Sequence, residues 1–295
     1  MDRDNETLEE VTERYQLTDE EKMEISSEIN KIMLHAKKAV SKPTAIIDIA
    51  PPGSGKTGLN GLGLQQFEDG NVVIINSDEL KPFHPKIDEI AKRYPHYYTK
   101  VTNQVSNLWT DRLFDETIEQ RCNLIFEGTG RNFKLLKSMI DKMSGYRIIV
   151  RGMAVNELNC LMSIIERYEG QVSKKGWGRL VTKEHFYKAY DEMIDTIGKL
   201  EELPNVDIVE VYMRGSSPTR PLKIYRDKSE YPDAPSAVIN GRIVDKNRAI
   251  LYFRESFMKS MSGFKNVEEE QEIINWIKVL ASEREKSEGD IQDGR

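Results

Sequence analysis

Ala50-Pro51-Pro52-Gly53-Ser54-Gly55-Lys56-Thr57 follows directly on the β-branched run Thr44–Ile49. It fits the phosphate-loop pattern G-x-x-x-x-G-K-[ST] at every position but the first, where Ala50 replaces Gly. Gly53 and Gly55 allow a backbone that aims several N–H groups at a phosphate. Lys56 is placed for the β/γ-phosphates and Thr57 for a Mg²⁺ shell. A helix opening at this point directs its positive end at the same anion. The ligand expected at Pro52, Gly53, Ser54, Gly55, Lys56 and Thr57 is therefore a nucleoside polyphosphate with Mg²⁺, ATP if the enzyme is a kinase, since the motif alone serves kinases, GTPases and motor ATPases alike.

Outward from this loop, strand-like runs recur at Asn71–Ile75, Asn123–Phe126, Arg147–Val150 and Val206–Tyr212. Helical patterns over Thr102–Gln120, Asn132–Met143, Val155–Arg167 and Thr182–Leu203 separate them. Such alternation predicts an α/β fold, a mostly parallel sheet with helices on both faces. Thr18-Asp-Glu-Glu21 reads as a capping box that opens a helix running to about Ala39. The turn-rich stretch Arg214–Gly241 reads as an appended hairpin or loop, followed by helices over Lys246–Ser262 and Glu268–Leu280. The expected organisation is an N-terminal helical segment (1–40), a P-loop NTPase core of kinase type (41–212), and a C-terminal hairpin and helical extension (213–295).

Two strand ends carry carboxylates where doubly wound sheets bind ligands. The run Asn71–Ile75 leads to Asn76-Ser77-Asp78, and a carboxylate there can accept the proton of an attacking hydroxyl. A competing role for Asp78 is to cap the next helix. The run Asn123–Phe126 leads to Glu127-Gly128-Thr129-Gly130-Arg131. Asn103, Asn107, Thr110 and Asp111 share one helical face and read as a substrate surface. The segment Gln171–Arg179 reads as a lid in which Arg167 and Arg179 offset charge on a transferred phosphoryl group.

Composition narrows the field. The 295 residues carry 43 Lys+Arg against 49 Asp+Glu, a net charge of −6, which does not suit a nucleic-acid binder. Residues 1–25 hold ten acids against three bases and residues 267–295 nine against four, so the body between them is mildly basic and suits an anionic small molecule. Cys122 and Cys160 make neither a disulfide framework nor a zinc site. With no apolar run of membrane-spanning length and an acidic start, the chain reads as soluble and cytoplasmic, with no membrane partner.

The ordered series Lys37-Lys38-Ala39-Val40, Pro43-Thr44-Ala45, the phosphate loop, Asp78, His84-Pro85, Ser106-Asn107, Glu127-Gly-Thr-Gly-Arg131 and Glu166-Arg-Tyr-Glu169 resembles the zeta toxin family over residues 30–212. The resemblance implies a kinase of toxin–antitoxin systems. Such an enzyme phosphorylates the 3′-hydroxyl of the N-acetylglucosamine unit of UDP-N-acetylglucosamine and is held off by an antitoxin protein. It assigns Lys56 to phosphate, Thr57 to magnesium, Asp78 to the base, Glu127, Thr129 and Arg131 to the substrate turn, and Arg167 and Arg179 to the phosphoryl group. Asn107 and Asp111 fall on its substrate helix, with Asp111 where the family has Glu. Wider relatives imply NAD as an alternative acceptor. A nucleotide switch without an acceptor is the remaining alternative, though a guanine-specific Asn-Lys-x-Asp element is absent.

Overall fold

The computed structural model describes residues 6–95, 97–217, 220–226, 229–245, 271–272 and 274–280. Six strands form one sheet: β1 (Thr44–Ile49), β2 (Val72–Ile75), β3 (Asn123–Gly128), β4 (Arg147–Met153), β5 (Ile208–Ser217) and β6 (Arg220–Tyr225), in the order β2-β3-β1-β4-β5-β6. The first five neighbours run parallel, and β6 returns antiparallel to β5. β1 is the centre, and its residues from Ala45 onward are buried, the continuous apolar run of a strand covered on both faces. Ala45, Ile47 and Ile49 face the larger core, while Ile46 faces the opposite layer.

Asp48 also faces that second layer and is buried. Its register partner on β4, Arg151, is buried with it. Arg151 Nε donates to Asp48 Oδ1 at 2.8 Å, and one terminal nitrogen donates to Oδ2 at 2.9 Å and to the Leu59 carbonyl at 3.1 Å. Leu59 belongs to α3 (Lys56–Leu64), so the pair ties two central strands to the helix that follows the phosphate loop. A Cβ on Gly63 would stand 2.7 Å from the same nitrogen, which explains a glycine inside this helix.

α1 (Leu8–Arg14) and α2 (Asp19–Met33) precede the sheet. The Thr18–Glu21 capping box forms as the sequence predicts, but α2 stops at Met33 rather than near Ala39. Ala36 takes φ 59°, and the chain is drawn away by bonds from Lys38 N to Asn71 Oδ1 and Val40 N to the Arg121 carbonyl. After β2 come α4 (Ser77–Leu80), a 3-10 turn at Lys81–Phe83, α5 (Ile87–Arg93) and α6 (Tyr98–Glu119), which begins four residues earlier than its pattern suggests. α7 (Phe133–Lys142) joins β3 to β4.

α8 (Glu157–Lys175) continues eight residues beyond the expected Arg167 and absorbs much of the segment read as a lid. It ends where Gly176 supplies the left-handed cap, φ 77°, so of the segment 171–179 only residues 176–179 lie outside the helix. α9 (Lys183–Glu201) then leads to β5.

The divide drawn between residues 212 and 213 falls inside β5. The hairpin is not an appendage: β6 completes the sheet, and α10 (Ala234–Val244) adds Ala234, Ala237 and Val238 to the main core. Arg242 lies over the Tyr190 ring at 3.6 Å, and Asp245 Oδ2 accepts from Asn156 N and Asn159 Nδ2 at 2.9 and 2.7 Å. The helix expected over 246–262 lies outside the described residues. The described residues of 271–280 are helical, with Ile274 and Ile277 buried against α8 and α9 residues. No helix among the described residues is long and apolar enough to cross a membrane.

Candidate active site

A cavity of about 730 Å³ opens at the carboxyl ends of the parallel strands. Residues 51–57 form its floor, with Gly53 at φ 76° and Gly55 at φ 94°. A Cβ at Gly53 would lie 2.1 Å from the Cys160 carbonyl, so only glycine fits. Ala50 is buried, keeps an ordinary negative φ and donates its N–H to the Gly128 carbonyl at 3.1 Å. The missing first glycine of the motif therefore introduces no strain.

The N-terminus of α3 has no side-chain cap, leaving its first N–H groups directed at the cleft. Lys56 Nζ folds back 3.2 Å from the Ala50 carbonyl. Burial lowers the Lys56 pKa, the Glu127 and Asp78 carboxylates pull it back up, and Arg179 and Arg167 oppose them. Arg179 Nε is buried without a partner among the described residues. Uncapped amides, the Lys56 ammonium and the unpartnered Nε of an Arg179 otherwise paired with Asp78 fit a polyphosphate. Thr57, exposed at the cavity next to Lys56, is the residue that would hold Mg²⁺ beside it.

Asp78 does not cap α4. Asn76 does so, accepting from Asp78 N at 2.9 Å, and the Asp78 side chain lines the cavity instead. Lys81 Nζ stands 2.8 Å from Asp78 Oδ1, and Arg179 pairs with Oδ2. Lys81 is 1% exposed whereas the Asp78 side chain is 44% exposed, so the lysine is a fixed support and the carboxylate its open face. Burial works to raise the Asp78 carboxyl, but Arg179 and Lys81 outweigh it and hold it well below the usual carboxylate range. Glu127 accepts from Asn60 Nδ2, one helical turn after Lys56.

Of the residues singled out in the sequence, Pro52, Gly53, Ser54, Gly55, Lys56, Thr57, Asp78, Glu127, Thr129, Arg167 and Arg179 line this one cavity. Asn107, Asp111 and Arg131 do not. Asn107 and Asp111 are exposed, and Thr110 is turned back to the Ser106 carbonyl at 2.7 Å, so the polar face on α6 does not form part of the cleft wall. Trp109, fully buried with its Nε1 on the Lys22 carbonyl at 3.0 Å, fixes that rotation. Arg131 stands 3.2 Å from His185 Nδ1, and it is His185 that lines the cavity. None of residues 8–33 lines it either.

Lys81 and Arg214 were not legible as site residues. Arg214, in the irregular stretch of β5 where the register with β6 shifts, donates to the Gly53 and Ser54 carbonyls at 2.6 and 3.4 Å and to Ser163 Oγ at 2.9 Å. It ties the loop carbonyls of Gly53 and Ser54 to β5 and α8. Arg214→Ala is expected to weaken ATP binding by about tenfold or more, a charge-assisted hydrogen bond being worth about 1.5–3 kcal/mol. Calorimetric titration with a non-hydrolysable ATP analogue checks this, and unchanged affinity would remove Arg214 from the loop's support.

The Zeta toxin family pattern matches residues 29–230 of this chain. Toxin zeta of Streptococcus pyogenes is 35% identical over 139 residues, 46% of this chain and 48% of that protein, so the chain spans about half the length of that relative. Toxin PezT of Streptococcus pneumoniae is 28% identical over 188 residues, 63% of this chain and 74% of that protein. A solved structure from the PezAT chromosomal toxin–antitoxin system of Streptococcus pneumoniae shares the fold with a TM-score of 0.64 at 20% identity, covering 91% of this chain and 97% of that one. Every residue that lines the cleft, from Pro51 to Pro221, falls inside the matched stretch, and the chain belongs to the zeta toxin family.

Proposed function

We propose that this chain is an ATP-dependent kinase that phosphorylates an alcohol, the 3′-hydroxyl of the N-acetylglucosamine unit of UDP-N-acetylglucosamine, and acts as the toxin of a toxin–antitoxin pair. The observation that carries this is Asp78: a carboxylate at the end of β2, open to the same cavity as the phosphate loop and already joined to Arg179. A switch that only hydrolyses nucleotide has no need of a second carboxylate fixed by a buried lysine at the far edge of its cleft.

In this reading the uncapped turn of α3 and Lys56 grip the β/γ-phosphates, and Asp78 accepts the proton of the acceptor hydroxyl. Arg167 and Arg179 stabilise charge growing on the transferred group. Thr57 would hold a Mg²⁺, which would supply charge neutralisation at the phosphates. The antitoxin is a separate protein.

The test is incubation with Mg·ATP and UDP-N-acetylglucosamine, other UDP-sugars, NAD, nucleosides or oligonucleotides, followed by product masses. A phosphate gained by UDP-N-acetylglucosamine supports the proposal. A phosphate gained by NAD alone keeps the chemistry and moves the acceptor. Hydrolysis independent of every acceptor sinks the kinase.

The ion pairs also set a pH dependence. With Asp78 held low, activity should lose no acid limb to this group between about pH 5 and 8. Lys81→Met removes one cation, raises the Asp78 pKa and moves the acid limb of kcat/KM upward. An acid limb that stays where it is in wild type, followed below pH 5, would deny Asp78 the role of base or Lys81 its influence on it.

A further inference from the structure

The sheet order gives the cleft two ends. The phosphate loop follows central β1, while Arg214, Gly215 and Pro221 line the cleft from the β5–β6 side. Asn76, Asp78, Lys81 and Pro82 line it from the opposite edge, after β2. A hydroxyl delivered to Asp78 therefore arrives at the β2 end. There the wall is aromatic: Tyr98, which opens α6, and Trp177, from the connection after α8, both line the cavity. Their ring centroids are 5.1 Å apart with planes inclined at 45°. Lys81 Nζ, in contact with Asp78, is 5.9 Å from the Tyr98 centroid, so the aromatic wall adjoins the base. The exposed Lys175 ammonium stands 5.6 Å from the Trp177 centroid, a cation suited to the phosphates of a nucleotide.

We propose that Tyr98 and Trp177 form a ring-binding subsite for the acceptor, one that takes the flat face of a ring carried by a nucleotide-linked alcohol. Flat faces stack on aromatic side chains with little dependence on ring identity, and Trp177, half-buried, is the member with surface to offer. This rests on the kinase reading for the direction of the acceptor, and not for the contact itself. A purely structural role is the competing explanation, because both rings also pack against Tyr94 and Val101 and anchor the connection that carries Arg179.

Trp177→Leu keeps apolar bulk but removes the ring face, and Trp177→Phe restores a ring. The expected result is that Leu raises the KM for UDP-N-acetylglucosamine by roughly tenfold or more. Phe should stay within a few-fold of wild type, and ATP KM and kcat, which report Arg179, should hold in both. UDP and N-acetylglucosamine 1-phosphate, titrated separately by tryptophan quenching, identify the base or the sugar as the stacked ring. Trp109 is fully buried and Trp276 is tied to the Tyr187 hydroxyl away from the cavity, so a saturable quench lost in Trp177→Leu belongs to Trp177. Equal losses for ATP and acceptor, or no change with any probe, would overturn the subsite. Should no acceptor gain phosphate, the kinase reading falls and the quench still decides the subsite.

Discussion

Asp78→Asn is expected to lower turnover by about 10²–10⁴, the range of a lost general base, with ATP affinity within a few-fold of wild type. The substitution keeps the side chain's shape, though only one of Lys81 and Arg179 retains an oxygen to contact, and no group remains to take the hydroxyl proton. Glu127 is the rival carboxylate. It is hydrogen-bonded by Asn60, one turn from Lys56, which sets it beside the phosphates, whereas Asp78 stands at the edge of the sheet with almost half of its side chain open. Single-turnover kinetics and a separate ATP-analogue titration decide the matter. Full turnover with every acceptor would transfer the role to Glu127 or to solvent.

Breaking the Asp48–Arg151 pair is expected to cost about 3–5 kcal/mol of folding stability, because either single substitution leaves an uncompensated charge in the core. Burial already pushes the Asp48 carboxyl up to about 6 against the pull of Arg151, the mark of a site hostile to charge. Arg151→Met should also loosen α3, since its guanidinium holds the Leu59 carbonyl. The double variant Asp48→Leu/Arg151→Met should recover most of the stability, well-packed apolar replacements of buried pairs being neutral or stabilising. Urea denaturation of the two singles and the double measures this. Singles as stable as wild type would mean that water or rearrangement satisfies the remaining charge.

The phosphate loop was fully legible in the sequence because its chemistry is local. Strand, glycines, lysine and helix start occupy fourteen consecutive residues, and each has one conformational reason to be there. Asp78 and Glu127 were legible for nearly the same reason, as a parallel sheet delivers the residues after its strands to one edge. The α6 face was not. Helical spacing groups Asn103, Asn107 and Asp111 correctly, but it carries no information on which way the helix is rolled. A single large residue, Trp109, settles the roll by burying itself.

Length of elements divides in the same way. A capping box names the start of α2, while its end depends on Lys38 and Val40 finding partners near β2 and β3. The hairpin expected in 214–241 forms as β5 and β6, but its place in the sheet and the packing of α10 on the core depend on distant partners. Fold class, the strand–loop–helix around residues 50–57 and the carboxylates at the strand ends follow from short-range stereochemistry and the period of apolar residues, which the linear order contains. The Lys81 support, the Arg214 brace, the buried Asp48–Arg151 pair and the Tyr98–Trp177 wall join residues from three to more than a hundred positions apart. Such contacts exist only once the sheet has brought its loops together, since the desolvation that gives a buried charge or a ring face its value is a property of the packed chain.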